Sequence, residues 1–347
     1  MKLTDFRTLG RSGLIVSPLA LGTMTFGATR WGSSDEVSRA VFHAYVDAGG
    51  TFIDTADVYS AGRSEELIGQ VVADSKLRDA LVLASKFSFT PADQRGNPNG
   101  GGNGRKNIHR ALEGSLKRLQ TDYLDLYWLH AWDAVTPAEE VLQTLGDLVR
   151  AGSIRYFGLS NVPAWYAAKM ATLAAVQGVP GPVALQLQYS LVARDIEAEY
   201  LPAARDLGLG LTPWSPLAGG FLAGSYSRDR LGADRGRLSG PNPFGDSKFT
   251  EHNWRVLDAL KQVAAELGRP PAQVALAWVV QRAGVTSMII GASRAEQLHS
   301  NLASLDVEFT PAQLAFLNKR SAAAPRDSDF SMLKRAVFAG ASVDGWH

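Results

Sequence analysis

The sequence predicts one (β/α)8 TIM barrel, and three observations carry that reading. Eight short apolar runs alternate with segments of helical period along most of the chain. The runs carry few internal charges, as expected of strands buried on both faces of a parallel sheet. No G-x-G-x-x-G follows any of them, which counts against the rival, an open doubly wound sheet. The length of 347 residues suits a single barrel of this kind.

A small N-terminal hairpin comes first, with residues 6–9 and 14–16 flanking Gly10-Arg11-Ser12-Gly13. The eight barrel runs are residues 19–22, 51–53, 81–85, 124–129, 154–159, 183–187, 210–214 and 286–290. Helical patterns fall at residues 35–48, 65–73, 109–119, 137–151, 163–175 and 196–207. Pro137 and Pro163 suit the first helical position of theirs. Two helices, 253–267 and 271–282, precede the last strand, and one, 294–303, follows it. One domain is expected over residues 1–347, with the barrel at about 18–306 and a tail at about 322–347. The tail's Phe330, Met332, Leu333, Val337, Phe338 and Trp346 are candidates to pack over the barrel mouth.

Two connections exceed the usual short loop: residues 87–106 after strand three and 218–250 after strand seven. Both leave the C-terminal ends of strands, where barrels carry their active-site loops.

Composition narrows the partners. The net charge is +1 and no run of like charge occurs, so neither nucleic acid nor membrane is expected as a partner. The absence of cysteine excludes disulfides, thiolate metal sites and a cysteine nucleophile, and no metal site is expected. Met1 is followed by polar Lys2, Thr4 and Asp5 rather than by the apolar core of a secretion signal. No apolar stretch approaches the ~18 residues of a membrane span, so a cytoplasmic protein is expected.

Four polar residues share a position, at or just beyond the C-terminal end of a run. Asp54 follows residues 51–53, Tyr59 lies five residues later, Lys86 follows 81–85, and His130 follows 124–129. Strands two, three and four are neighbours, so the four side chains are expected to converge on one rim. A free tyrosine titrates near ~10, too high for an efficient acid or base at neutral pH. A neighbouring ammonium lowers that value, and a carboxylate beside the ammonium keeps it charged. A histidine can donate to the same substrate oxygen as charge develops there. Such a set suits proton transfer to a carbonyl oxygen while another group delivers hydride to carbon. Taken singly, each residue has a plainer explanation. Lys86 can be a solvated strand end, His130 a core histidine and Asp54 a helix cap, with Asp57 competing for its role. Trp31, Phe87, Phe89 and Trp132 lie beyond the first, third and fourth strands and are candidates to line an apolar substrate pocket.

At these residues the sequence resembles the aldo-keto reductases, and most closely their aryl-alcohol-dehydrogenase-like and potassium-channel-β-subunit-like members. The stretch from Gly50 to Tyr59 is similar to the family's first signature and continues through Gly62-Arg63-Ser64-Glu65-Glu66-Leu67-Ile68-Gly69. Leu119 to Tyr127 followed by His130 resembles the segment that ends in the family histidine. Gly158-Leu159-Ser160-Asn161 and Gly291-Ala292-Ser293-Arg294, with Gln297 and Asn301, resemble its cofactor segments. The resemblance covers roughly residues 6–306.

It implies Tyr59 as general acid, Lys86 and Asp54 as the groups that tune it, and His130 as the group orienting the carbonyl. Asp54 rather than Asp57 is implied, because the family aspartate precedes the tyrosine by five positions. Ser160, Asn161 and Gln186 would hold the nicotinamide carboxamide, and Trp214 would stack on its ring. Ser215, Leu217 and Gly219 would follow the pyrophosphate, and Ser293, Arg294, Gln297 and Asn301 the adenosine end, beside Gly291. Gly22, Thr23, Met24 and Asp54 complete the implied cofactor set. The implied cofactor is NADPH or NADP, with NADH less favoured. Many members carry lysine at the position of Gly291 or arginine at that of Ser293, so Arg294 is left as the basic residue of that stretch. The implied partner is a carbonyl compound or secondary alcohol, on a monomer or homo-oligomer. Two other functions compete: a nucleotide-binding regulatory subunit like the potassium-channel β subunits, and a Schiff-base enzyme using a neutral Lys86.

Overall fold

The chain begins with a hairpin in which β1 (Arg7–Thr8) pairs antiparallel with β2 (Ile15–Val16). In the computed structural model, which describes residues 1–28, 32–228, 238 and 248–323, eight further strands form one parallel sheet. They are β3 (Leu19–Gly22), β4 (Phe52–Asp54), β5 (Val82–Phe87), β6 (Leu124–Leu129), β7 (Ile154–Ser160), β8 (Ala184–Gln186), β9 (Gly210–Leu211) and β10 (Met288–Ile290). Each pairs with the next in the chain, and β10 returns to pair with β3. Thr286 N donates to Leu211 O at 2.8 Å and Ile289 N to Pro213 O at 2.9 Å, which closes the ring between β9 and β10. The fold is the expected TIM barrel.

The helices are α1 (Asp35–Asp47), α2 (Arg63–Ser75), α3 (Arg105–Leu119), α4 (Ala138–Arg150), α5 (Ala164–Gln177), α6 (Tyr200–Leu207), α7 (Glu251–Leu267), α8 (Pro271–Val280), α9 (Ala295–Leu302) and α10 (Pro311–Arg320). Pro137 and Pro163 stand one position earlier than expected, as the caps preceding α4 and α5, with extended ψ. The helix expected from residue 196 starts instead at Tyr200. Pro202 lacks an N–H and is tolerated only within a first turn, so a helix begun at 196 would be broken there. Among the described residues no helix is long and apolar enough to cross a membrane. The tail side chains singled out above, from Phe330 to Trp346, lie outside the described residues.

Strand alternation positions the site. Phe52, Val82, Ala84, Leu126, Trp128 and Ala184 fill the barrel interior together with Leu9, Leu14 and Val16 of the hairpin. The alternate residues, such as Ile53, Leu83 and Tyr127, face the larger core between strands and helices. Two glycines let this interior close. A Cβ on Gly158 would lie 2.3 Å from the Trp128 ring, and one on Gly10 only 2.3 Å from Val183 O. Gly10 also needs a φ of +62°, and its turn is pinned where Arg11 N donates to Gly208 O at 2.7 Å. The hairpin therefore stoppers the N-terminal end of the barrel, and continuing the same inward parity brings Asp54, Lys86 and His130 to the opposite end.

Backbone strain also collects at that end. Among the described residues, six of the eight non-glycine residues with positive φ are Ser60, Ala61, Ser88, Asn161, Ser215 and Ala218, all beyond C-terminal strand ends. The other two, Lys76 and Gln120, simply end helices α2 and α3.

Candidate active site

Lys86 is fully buried, and its ammonium meets three acceptors. It is bonded to Asp54 Oδ1, donates to Thr55 O at 2.7 Å, and donates to Tyr59 Oη at 3.2 Å. Burial works against the charge on Lys86, but Asp54 and then Tyr59 outweigh it and hold the pKa above the ordinary lysine range. The ammonium is therefore charged at any physiological pH, which disfavours the neutral lysine that a Schiff base needs. Gln186 Nε2 donates to Asp54 Oδ2 at 2.9 Å, so both carboxylate oxygens are engaged.

His130 completes the group. Its ring meets that of Tyr59 edge-on at 5.9 Å between centroids, and that of Phe89 at 4.7 Å. Burial, and then the charge on Lys86, push its pKa well below the usual histidine value, so the ring is neutral. Its Nδ1 is buried without a hydrogen-bond partner. Asn161 Nδ2 donates to His130 O at 2.9 Å, and Trp214 Nε1 donates to Asn161 Oδ1 at 3.1 Å. Asn161 thus ties strand ends together instead of capping α5.

Asp57 takes no part in this cluster. It is buried behind the strand ends, and neither carboxylate oxygen has a hydrogen-bond partner. Burial and then nearby Glu65 push its carboxyl up to about 7, against the opposing pull of Arg118 and Arg110. Glu65 itself is satisfied by Arg118 at 2.7 Å. The native state thus keeps a proton that an unfolded aspartate, titrating near 3.8, gives up earlier. Stability from this group falls as pH rises between those two values. Asp57→Asn is expected to raise the melting temperature, and to raise it more at pH 8 than at pH 5. The change at pH 8 should correspond to the order of a few kcal/mol. Equal differences at both pH values would show that Asp57 is not a buried titrating acid.

The residues tied by resemblance to a cofactor divide into two groups. Ser160, Asn161, Gln186 and Trp214 stand at the ends of β7 and β8 and in the segment after β9, Gln186 against Asp54 and Asn161 bonded to Ser160, Trp214 and the His130 carbonyl. Beyond them Ser215 (φ +56°), Ala218 (+50°), Gly219 (+68°) and Gly220 (+96°) turn the chain back sharply, with Ser215 Oγ accepting from Gly219 N at 3.2 Å. Leu217 packs partly buried against the core in the same turn. After β10, Gln297 Oε1 accepts from Ser293 N at 2.8 Å and Ser293 Oγ at 3.1 Å, and Asn301 Nδ2 donates to Gly291 O at 3.1 Å. These bonds shape a loop in which Gly291 has open space around it and Arg294 is 67% exposed.

The second group acts from behind. Thr23 is fully buried, donates to Asp54 O at 3.2 Å and accepts from Ser64 Oγ at 2.8 Å. Its side chain holds the end of β4. Gly22 is buried where a Cβ would lie 2.5 Å from Ile289 Cγ2, and Met24 is half-buried in the turn that follows.

The expected pocket residues separate as well. Phe89 is 45% exposed beside His130, and Trp132 meets Trp165 edge-on at 5.8 Å. Phe87 faces the other way. It is the last residue of β5, alternates with inward Lys86, and is fully buried on the outer side against Tyr127. Trp31 lies outside the described residues. The Gln186 bond to Asp54 and the Ser88 contacts described below had no signal in the sequence beyond their position at strand ends.

The profile of the aldo/keto reductase family matches residues 18–321. An uncharacterized oxidoreductase YrpG of Bacillus subtilis (strain 168) is 37% identical over 320 residues, 90% of this chain and 95% of its own. A probable voltage-gated potassium channel subunit beta of Oryza sativa subsp. japonica is 37% identical over 306 residues, 87% of this chain and 92% of its own. An aryl-alcohol dehydrogenase [NADP(+)] of Phanerodontia chrysosporium is 33% identical over 323 residues, 88% of this chain and 83% of its own. With the barrel and the polar cluster at its C-terminal end, these matches identify the chain as a member of the aldo/keto reductase family of oxidoreductases, which generally use NAD(P)H.

Proposed function

We propose that the protein is an NADPH-dependent carbonyl reductase that interconverts an aldehyde or ketone with its alcohol, with Tyr59 exchanging the proton. One observation carries this reading: a fully buried, charged Lys86 touches both the Asp54 carboxylate and the Tyr59 hydroxyl. The residues suit the cofactor. Amide and hydroxyl groups of Ser160, Asn161 and Gln186 can hold a carboxamide beside Asp54, and Trp214 offers a flat ring. Ser215, Leu217 and Gly219 suit a pyrophosphate, and exposed Arg294 suits a 2′-phosphate, with Ser293, Gln297 and Asn301 shaping that loop.

Bound NADPH supplies hydride to the carbonyl carbon. Tyr59 Oη gives its proton to the carbonyl oxygen as that oxygen takes up the electron pair of the π bond. Lys86 stabilises the phenolate left behind, because its ammonium already donates to Oη. Asp54 keeps Lys86 charged and Gln186 holds the other Asp54 oxygen. Neutral His130 keeps its proton on Nε2, since Nδ1 is buried without an acceptor, and from there donates a hydrogen bond to the substrate oxygen without giving the proton up. In the oxidation direction the phenolate takes the proton back. Phe89, the Trp132–Trp165 pair, and a cleft lined by Trp132, Leu187, Gln188 and Tyr200 beside Asn161 suit an aromatic carbonyl substrate. Turnover of NADPH by the purified protein across a panel of aryl aldehydes and aliphatic ketones tests the assignment. Tight NADPH binding with no turnover of any of them would favour the second reading, a regulatory nucleotide-binding subunit, which the 37% identity to the rice channel subunit keeps in view.

Cofactor choice gives a separate test. Arg294 sits at the N-terminal cap of α9, where backbone N–H groups and the helix dipole favour an anion. Its partner Glu296 is 4.0 Å away and both side chains are well exposed, so the pair does not bind the guanidinium tightly. Charge-assisted bonds to a phosphate are stronger than any to the neutral hydroxyl of NADH. At least a roughly tenfold preference for NADPH is expected, about 1.4 kcal/mol. Arg294→Ala should weaken NADPH much more than NADH, and equal losses in the two dissociation constants would remove Arg294 from phosphate recognition.

A further inference from the structure

Ser88 leaves β5 with a φ of +121°, the largest positive value among the described non-glycine residues. Backbone of this kind is strained for a residue with a Cβ and persists only where its surroundings impose it. Here the surroundings are visible. Ser88 Oγ accepts from His130 N at 3.2 Å and from Ala131 N at 3.4 Å, and donates to Asn103 Oδ1 at 2.6 Å. Asn103, only 1% exposed, donates from Nδ2 to Ala131 O at 2.9 Å. Its own N–H donates to Asp133 Oδ2 at 2.7 Å, and Gly102 N donates to Ser88 O at 2.7 Å. Asp133 Oδ1 meanwhile accepts from Val135 N and Thr136 N. Both ends of the long connection after β5 are thus fastened to the segment that begins at His130.

His130 needs such support. Its Nδ1 has no partner, so no side-chain hydrogen bond at that atom fixes the ring. The ring is steered by edge contacts with Tyr59 and Phe89 and by its main chain. On one side that main chain is held through Asn161 at His130 O. On the other it is held by Phe87 O at 3.0 Å and by the Ser88 hydroxyl. Asn103 has the chemistry the second side requires: one amide that accepts from a hydroxyl and donates to a carbonyl at once, which a carboxylate cannot do.

We propose that Ser88 and Asn103 are positioning residues for His130, setting the reach of its ring toward the substrate oxygen. This rests on the donor role read for His130 above. Misplacement of a reacting group by about 1 Å can cost ~100-fold, so a partial loss of registration should be visible in kcat.

Ser88→Gly is the cleaner variant, because glycine takes a φ of +121° without strain and only the small hydroxymethyl side chain is lost. Asn103→Ala is the second. Each is expected to lower kcat for reduction of 4-nitrobenzaldehyde by NADPH about tenfold, with the NADPH dissociation constant within about twofold of wild type. In the cofactor-free protein, hydrogen exchange at the His130 and Ala131 amides should become about tenfold faster. On a His130→Ala background, Ser88→Gly should cost less than about twofold in single-turnover rate, since the ring it positions is gone. A merely structural role would instead cost the same factor on both backgrounds. That result, or wild-type kcat in Ser88→Gly, overturns the proposal. Wild-type kcat in His130→Ala alone overturns instead the reading of His130 on which it rests. If Asn103→Ala melts too low to assay, Ser88→Gly and its cycle with His130→Ala decide the matter alone.

Discussion

Tyr59→Phe is expected to lower kcat for carbonyl reduction by ~10^2- to 10^4-fold while leaving NADPH affinity near wild type. Only the hydroxyl is removed, and the ring that meets His130 edge-on is kept. Lys86 loses one of its three acceptors but retains Asp54 Oδ1 and Thr55 O, so the buried ammonium stays paired and the fold stays intact. Single-turnover rates separate the chemical step from product release. A variant that keeps more than about a tenth of wild-type kcat, with chemistry rate-limiting, would falsify the assignment of the acid.

Lys86→Met is expected to be comparably severe in rate and worse in stability. Removing the ammonium leaves the Asp54 carboxylate buried beside Gln186 without a cation. Breaking a buried pair from one side typically costs ~3–5 kcal/mol. The double variant Asp54→Asn/Lys86→Met should recover most of the lost melting temperature and none of the lost turnover. The oxidation direction adds a pH signature. It needs the phenolate, so without the lysine the rising limb of its profile should move toward ~10. Lys86 stability effects do not blur that measurement. Its folded pKa lies above the ordinary 10.5, so its contribution is fully present below the unfolded value. It is lost only as pH climbs through the raised native value. An unmoved profile, or recovery of turnover in the double variant, would take Lys86 out of the chemistry.

The parts of the molecule legible in its sequence are those set by short-range periodicity. All eight barrel strands fall where apolar runs stand, and Asp54, Lys86 and His130 fall at their ends, because burial on both faces leaves a continuous mark. The outward face of Phe87 follows from the same alternation: if Lys86 faces inward, its neighbour faces out. The start of α3 at Arg105 was obscured by the glycines before it, and α6 by an apolar pattern that runs past Pro202. Helix α10 had a readable signal, Thr310-Pro311-Ala312-Gln313, which forms a capping box with proline at the first helical position. What the sequence does not carry is long-range pairing. The bond from Gln186 to Asp54 spans 132 residues, and the left-handed backbone of Ser88 has no residue-type signature at all.

The hairpin at the lower end of the barrel fixes how the molecule can be handled. The amino group of Met1 donates to Leu305 O at 3.1 Å, just past the C-terminal end of α9 and therefore on the stoppered side. Any tether attached ahead of Met1 leaves from that side. Immobilisation on a bead or electrode through the amino terminus would orient every copy with its rim toward the bulk solution. The rim itself, where the strained residues and the polar cluster sit, would face away from the support.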